Sequence, residues 1–114
     1  MQLTRMRVIT VVKHKDTVSV SFRYSERMHQ ALLQFTSTVC MSSQKEDAVQ
    51  VIVDMYLRNP TIYDAMNVIE LREPMSRNMT VSLHKDSVTA LRGIANEAGI
   101  PLSTVIRYAM YQCL

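Results

Sequence analysis

Two stretches of this 114-residue chain place small hydrogen-bonding side chains at every second position: Thr17, Ser19 and Ser21 in one, Asn78, Thr80 and Ser82 in the other. Alternate residues of an extended strand leave the same face, so each stretch displays a row of hydroxyl or carboxamide groups. Such a row donates and accepts hydrogen bonds; it is chemistry for recognition. Reactive constellations are missing. His14, His29 and His84 lack ligand spacing, and neither Cys40 nor Cys113 stands two to four residues from another Cys or His, so no metal site is expected. Gly93 and Gly99 are the only glycines, which excludes a glycine-rich phosphate loop, and no nucleophile elbow occurs. The expectation is a protein that is not an enzyme and carries no cofactor.

The elements that position these rows follow from periodicity. Met79, Val81 and Leu83 alternate with the polar residues of the second stretch, giving a strand with one apolar face. From about Asp86, Val88, Leu91, Ile94, Ala95 and Ala98 recur at three- and four-residue spacing and predict an amphipathic helix, which Gly99 ends. Pro101 blocks its continuation, Ser103 offers a capping oxygen, and Val105, Ile106, Ala109, Met110 and Cys113 form the apolar stripe of a second helix. A three-residue apolar strand face and two short helices are not stable alone. The same order occurs earlier in the chain. Val18, Val20 and Phe22 match Met79, Val81 and Leu83; Leu32, Phe35 and Val39 match Leu91, Ile94 and Ala98; Ala48, Val49, Ile52, Val53, Tyr56 and Leu57 match Val105, Ile106, Ala109, Met110, Cys113 and Leu114. The spacing between copies drifts only in the turns, where insertions are tolerated.

An alternating strand, a helix ending in Ala95-x-x-x-Gly99 and a second helix opening with Ser103-Thr104-Val105-Ile106-Arg107 resemble the ribbon-helix-helix DNA-binding proteins. The resemblance covers about residues 17–114. It implies a mainly α fold with a short antiparallel β-ribbon, in which tandem ribbon-helix-helix repeats form an intramolecular pseudo-dimer. It also implies binding of double-stranded DNA, the ribbon entering the major groove. There asparagine can meet adenine through two hydrogen bonds, hydroxyls donate or accept, and a threonine methyl can touch a thymine methyl. The base-reading residues would be Thr17, Ser19, Ser21, Asn78, Thr80 and Ser82. Phosphates would be held by Arg23 and Arg77 at the strand ends, by Ser103 and Thr104 at the start of one second helix and by Ser42 and Ser43 at the start of the other, where free amides carry partial positive charge. Two departures from the family pattern stand out. Cys40-Met41-Ser42-Ser43 replaces the glycine turn in the first copy, and the reading face carries short hydroxyls where many members carry Arg, Lys or Gln.

The tandem form, with Glu46-Asp47-Ala48-Val49 and Asp54 through Pro60 and Tyr63, is similar to the accessory DNA-binding proteins of conjugative relaxosomes. The resemblance therefore implies a transcriptional regulator or repressor, with a relaxosome accessory role as the alternative. An antitoxin role would call for a toxin-binding tail beyond the second helix. From another class comes a protein-interaction module of the same fold that no longer reads DNA, and further self-association on DNA is left open.

Residues 17–59 form the first unit in this reading, 60–76 a linker with a short helix over Thr61 to Leu71, and 77–114 the second unit. Residues 1–16 are either a basic arm or an extra strand. Charge is unevenly spread within a net +3. Residues 1–45 carry Arg5, Arg7, Lys13, Lys15, Arg23, Arg27 and Lys45 against Asp16 and Glu26; residues 46–76 carry Arg58 and Arg72 against Glu46, Asp47, Asp54, Asp64, Glu70 and Glu73. A polyanion is drawn to the strand side. No apolar run is long enough for a bilayer, no signal peptide is visible, and two cysteines suit free thiols in a reducing cytoplasm. Met55 and Met110 read as core filler.

Overall fold

The computed structural model describes residues 16–39, 44–63 and 73–114. The predicted basic arm or strand over 1–15, Ser42 and Ser43, Cys40 and most of the linker helix lie outside the described residues. The order of elements is β1 (Thr17–Tyr24), α1 (Glu26–Thr38), α2 (Lys45–Arg58), β2 (Arg77–His84), α3 (Lys85–Ala98) and α4 (Leu102–Cys113). The described residues are thus mainly helical, with one two-stranded antiparallel sheet. No described helix is long and apolar enough to cross a membrane.

β1 and β2 pair over their whole length, from Thr17 opposite His84 through Val20 opposite Val81 to Tyr24 opposite Arg77. Alternation then decides the faces. Val20, Phe22, Tyr24, Met79, Val81 and Leu83 are buried beneath the helices, while Thr17, Ser19, Ser21, Asn78, Thr80 and Ser82 face outward. A two-stranded ribbon is marginal by itself in water. Here its inner face is roofed by α2 and α4, which pack against each other, α2 also meeting β2 and α4 also meeting β1. Ala48, Val49, Ile52 and Val53 of α2 and Val105, Ile106, Ala109 and Met110 of α4 are fully buried at this junction. At about 1.5–3 kcal/mol for each large apolar side chain taken out of water, this junction is the main source of stability.

The ends of the helices show where local rules were overruled. α3 stops at Gly99 in the left-handed conformation (φ 68°), as its sequence predicts. α1 is capped by Ser25, whose hydroxyl accepts from the Met28 amide at 3.2 Å. Ser103, the expected cap of α4, does not act as one. Pro101 holds the N-cap position and its carbonyl accepts from the Thr104 amide at 3.0 Å, leaving Ser103 inside the first turn. The proline ring fixes φ where the chain must turn into the helix, so the helix begins one residue after it.

Four expected core positions are also corrected. Met55 is 41% exposed, Val39 38% and Leu114 37%, and Ala98 is exposed as well. Each lies at or beside the margin of an apolar stripe, where the roof of the partner helices ends. Thr61–Tyr63 is not helical. Instead this segment is tied down by side chains: Tyr56 Oη donates to the Thr61 carbonyl (2.7 Å), Tyr108 Oη to the Tyr63 carbonyl (2.8 Å), and the Tyr63 ring meets Tyr108 and Tyr111 edge-on. Cys113 is a free thiol whose pKa burial pushes up, which keeps it protonated and unreactive.

A buried histidine gives the fold a pH dependence. His29 sits inside α1 with Nδ1 3.0 Å from the Tyr24 hydroxyl. Burial, with Arg77 and Lys45 adding to it and Glu26 opposing, lowers its pKa from the ordinary 6.5. Above pH 6.5 both folded and unfolded chains hold it neutral. As pH falls through that value the unfolded chain takes up the proton first, so stability is lost until the lower folded pKa is passed. Glu26, held below its ordinary 4.5 chiefly by its hydrogen bond to Arg77, contributes only in a more acid window. Urea midpoints measured against pH are expected to decline just below 6.5 in the native chain. In His29→Gln, which keeps a partner for Tyr24, that limb flattens.

Candidate functional site

The outer face of the ribbon is the feature that the sequence singled out, and the fold leaves it open. All six predicted recognition residues are exposed on it. They form cross-strand pairs, Ser19 opposite Ser82 and Ser21 opposite Thr80, with Asn78 opposite Arg23 and Thr17 opposite His84. The Ser21 and Thr80 hydroxyls lie 2.7 Å apart and hydrogen-bond to one another. That bond fixes both rotamers while each oxygen keeps lone-pair capacity for a ligand. Eight paired residues make a rigid bar roughly 26 Å long at about 3.3 Å per residue, slim enough for a groove about 12 Å wide.

The predicted cations separate. Arg23 shares the outer face by alternation, and its Nη2 donates to the Met75 carbonyl at 2.8 Å. Arg77 does not join it: the same alternation puts Arg77 on the helix side, where Nε meets Glu26 Oε1 at 2.8 Å and each group stabilises the other's charge. Ser103 and Thr104 lie in the first turn of α4, partly exposed, next to the Tyr24/Arg77 end of the ribbon.

Arg107 was not among the residues expected from sequence, yet it completes this corner. Its Nη1 donates to the Arg23 carbonyl at 3.1 Å and its Nη2 to Thr104 Oγ1 at 3.0 Å. The guanidinium is half-buried, and its desolvation pushes its pKa down, only Tyr108 opposing. Ser21, Arg23, Asn78, Ser103 and Arg107 together line a recess of about 370 Å³ between ribbon and helix. Two cations, a carboxamide, two hydroxyls and the amide end of α4 are a donor set for an oxyanion. Its sequence signal is faint, an arginine in an otherwise apolar stretch of α4.

The opposite end of the ribbon, at Thr17/His84, is built differently. Gln50 of α2 is 3% exposed, accepts from the His84 amide at 2.8 Å, and donates to Asp54 Oδ1 (3.0 Å) and Ser87 Oγ (3.1 Å). Ser87 Oγ in turn donates to Asp54 Oδ1 at 3.0 Å. This network is closed on itself. A larger recess of about 630 Å³ lies elsewhere, between α1 and the end of α4, lined by Arg27, Met28, Tyr63, Tyr111 and Leu114. No ribbon residue lines it.

Comparison of the chain with protein-family models, with curated proteins and with solved structures finds no match.

Proposed function

We propose that this protein binds double-stranded DNA sequence-specifically by inserting the β1–β2 ribbon into the major groove, as a tandem ribbon-helix-helix protein folded into an intramolecular pseudo-dimer. The observation that carries the reading is the outer face of the ribbon: six donor and acceptor side chains exposed in register on one rigid bar, flanked by a cationic recess. The pseudo-dimer is supported by the pairing itself. Under the sequence correspondence Val20 and Val81 are equivalent, and they face each other, while Val18 pairs with Leu83 and Phe22 with Met79, the interchange that a two-fold axis through the ribbon requires.

In this reading Thr17, Ser19, Ser21, Asn78, Thr80 and Ser82 read base edges, and Arg23, Ser103, Thr104 and Arg107 hold phosphate. Arg77 contributes through its ion pair with α1. The role served is transcriptional regulation, with service as an accessory factor in DNA processing as the alternative. Soluble, cytoplasmic life follows from that role.

Selection from a random-sequence duplex pool at two salt concentrations tests it. A motif is expected to emerge, and Thr80→Ala/Ser82→Ala to lose about ten-fold in affinity for it, roughly 1.4 kcal/mol, while residual binding keeps its salt dependence, since phosphate contacts supply that term. Binding without any motif, abolished by modest salt, would make the ribbon a surface for protein partners instead.

A further inference from the structure

The two ends of the ribbon are unlike in the described residues, and we propose that this makes DNA binding directional: a preformed phosphate anchor built from described residues at the Tyr24/Arg77 end and not at the other, and hence a non-palindromic site occupied in one orientation. The inference rests on the DNA-binding reading and adds the polarity of the interface.

Arg107 and Gln50 are each the sixth residue of their helices, α4 and α2. Each reaches the backbone at the far end of a strand, Arg107 to the Arg23 carbonyl and Gln50 to the His84 amide. Their chemistry diverges from there. Arg107 brings a positive charge to an open recess, with Arg23 and Asn78 on its other wall. Among the described residues no carboxylate hydrogen-bonds or ion-pairs with it. The first turn of α4 carries no acidic residue, so the positive end of the helix is left for a ligand. A half-buried cation without a counter-ion among the described residues, beside hydroxyls and free amides, suits a phosphate oxygen.

Gln50 is neutral, and its hydrogen bonds are spent on Asp54, Ser87 and His84. Glu46 and Asp47 occupy the first turn of α2, where they offset its positive end and repel a phosphate. Lys85 follows His84 directly, its amide donating to the Asp16 carbonyl, and Asp54 accepts from Gln50, so this end carries described carboxylates as well as a lysine. Among the described residues, a duplex laid along the ribbon therefore meets attraction at one backbone crossing and none built in at the other. Reversing the duplex exchanges the base edges against the two strands while leaving the anchor in place, so the two orientations differ in energy.

The test is phosphate-ethylation interference on the duplex selected by the native full-length chain. Interference is expected on one flank of a motif without dyad symmetry. Arg107→Gln is expected to erase that interference, weaken binding about ten-fold and reduce the slope of log affinity against log salt by about one. Arg107→Lys keeps the charge and most of the slope, and the native map needs no variant to fold. Dyad-related interference on both flanks overturns directionality and leaves the ribbon reading standing, as does one-sided interference that Arg107→Gln leaves untouched for the assignment of Arg107. Failure to bind any duplex overturns both.

Discussion

Ile52→Ala is expected to lower the unfolding free energy by about 2–5 kcal/mol, the cost of deleting a large buried aliphatic side chain and leaving a cavity. Ile52 is fully buried in α2, the helix that packs on α4 and β2. A domain of this size holds only about 5–15 kcal/mol in total, so the melting midpoint is expected to fall by ten degrees or more. The manner of unfolding is as informative as the amount. α2 packs on α4, α2 on β2 and α4 on β1, so the core is shared between segments far apart in sequence. Probes placed in α1 and in α4 should therefore report one coincident transition in the native chain and the variant alike. Two separated transitions would mean that the two halves fold independently, and the shared core would not be the source of stability.

Gln50→Ala is expected to cost about 2–3 kcal/mol although it removes no apolar surface. The substitution strips the His84 amide, Asp54 and Ser87 of a shared partner at a site that is almost closed to water, and a buried polar group left unpaired costs its full desolvation. Gln50→Glu separates geometry from charge. It keeps an acceptor for the His84 amide but sets a second carboxylate in the position now 3.0 Å from Asp54 Oδ1. Like charges so close raise one pKa. The variant is expected to be destabilised at neutral pH and to recover part of that loss on mild acidification, where Gln50→Ala does not. Denaturant midpoints at two pH values distinguish them; equal behaviour would mean that Asp54 is not the group sensing residue 50.

The polar face of the ribbon was legible because it depends on a period of two and nothing else. Once Thr17 to Phe22 and Asn78 to Leu83 are strands, the hydroxyls must share a face opposite the valines, whatever the rest of the chain does. Gly99 was equally readable, since few other residues tolerate φ near 68°. Ser103 misled because two residues compete for the start of α4, and the ring of Pro101 wins over a side-chain hydrogen bond. Gln50 and His29 were missed because a polar residue in an apolar stripe reads as a blemish until its partners are known, and two of the three partners of Gln50 lie more than thirty residues away.

By itself, then, the amino-acid sequence determined the local elements, their order and the composition of each face, because these follow from backbone sterics and hydrophobic spacing within a few residues. Tertiary structure decided what the faces meet. Only the pairing of Thr17 with His84 and Tyr24 with Arg77 places Arg107 against the Arg23 carbonyl and Gln50 against the His84 amide. The same step turns Arg77 toward Glu26 and leaves Met55 in solvent. Those outcomes depend on contacts between residues distant in the chain, whose distances no periodicity encodes, and they make one end of the ribbon cationic and the other closed.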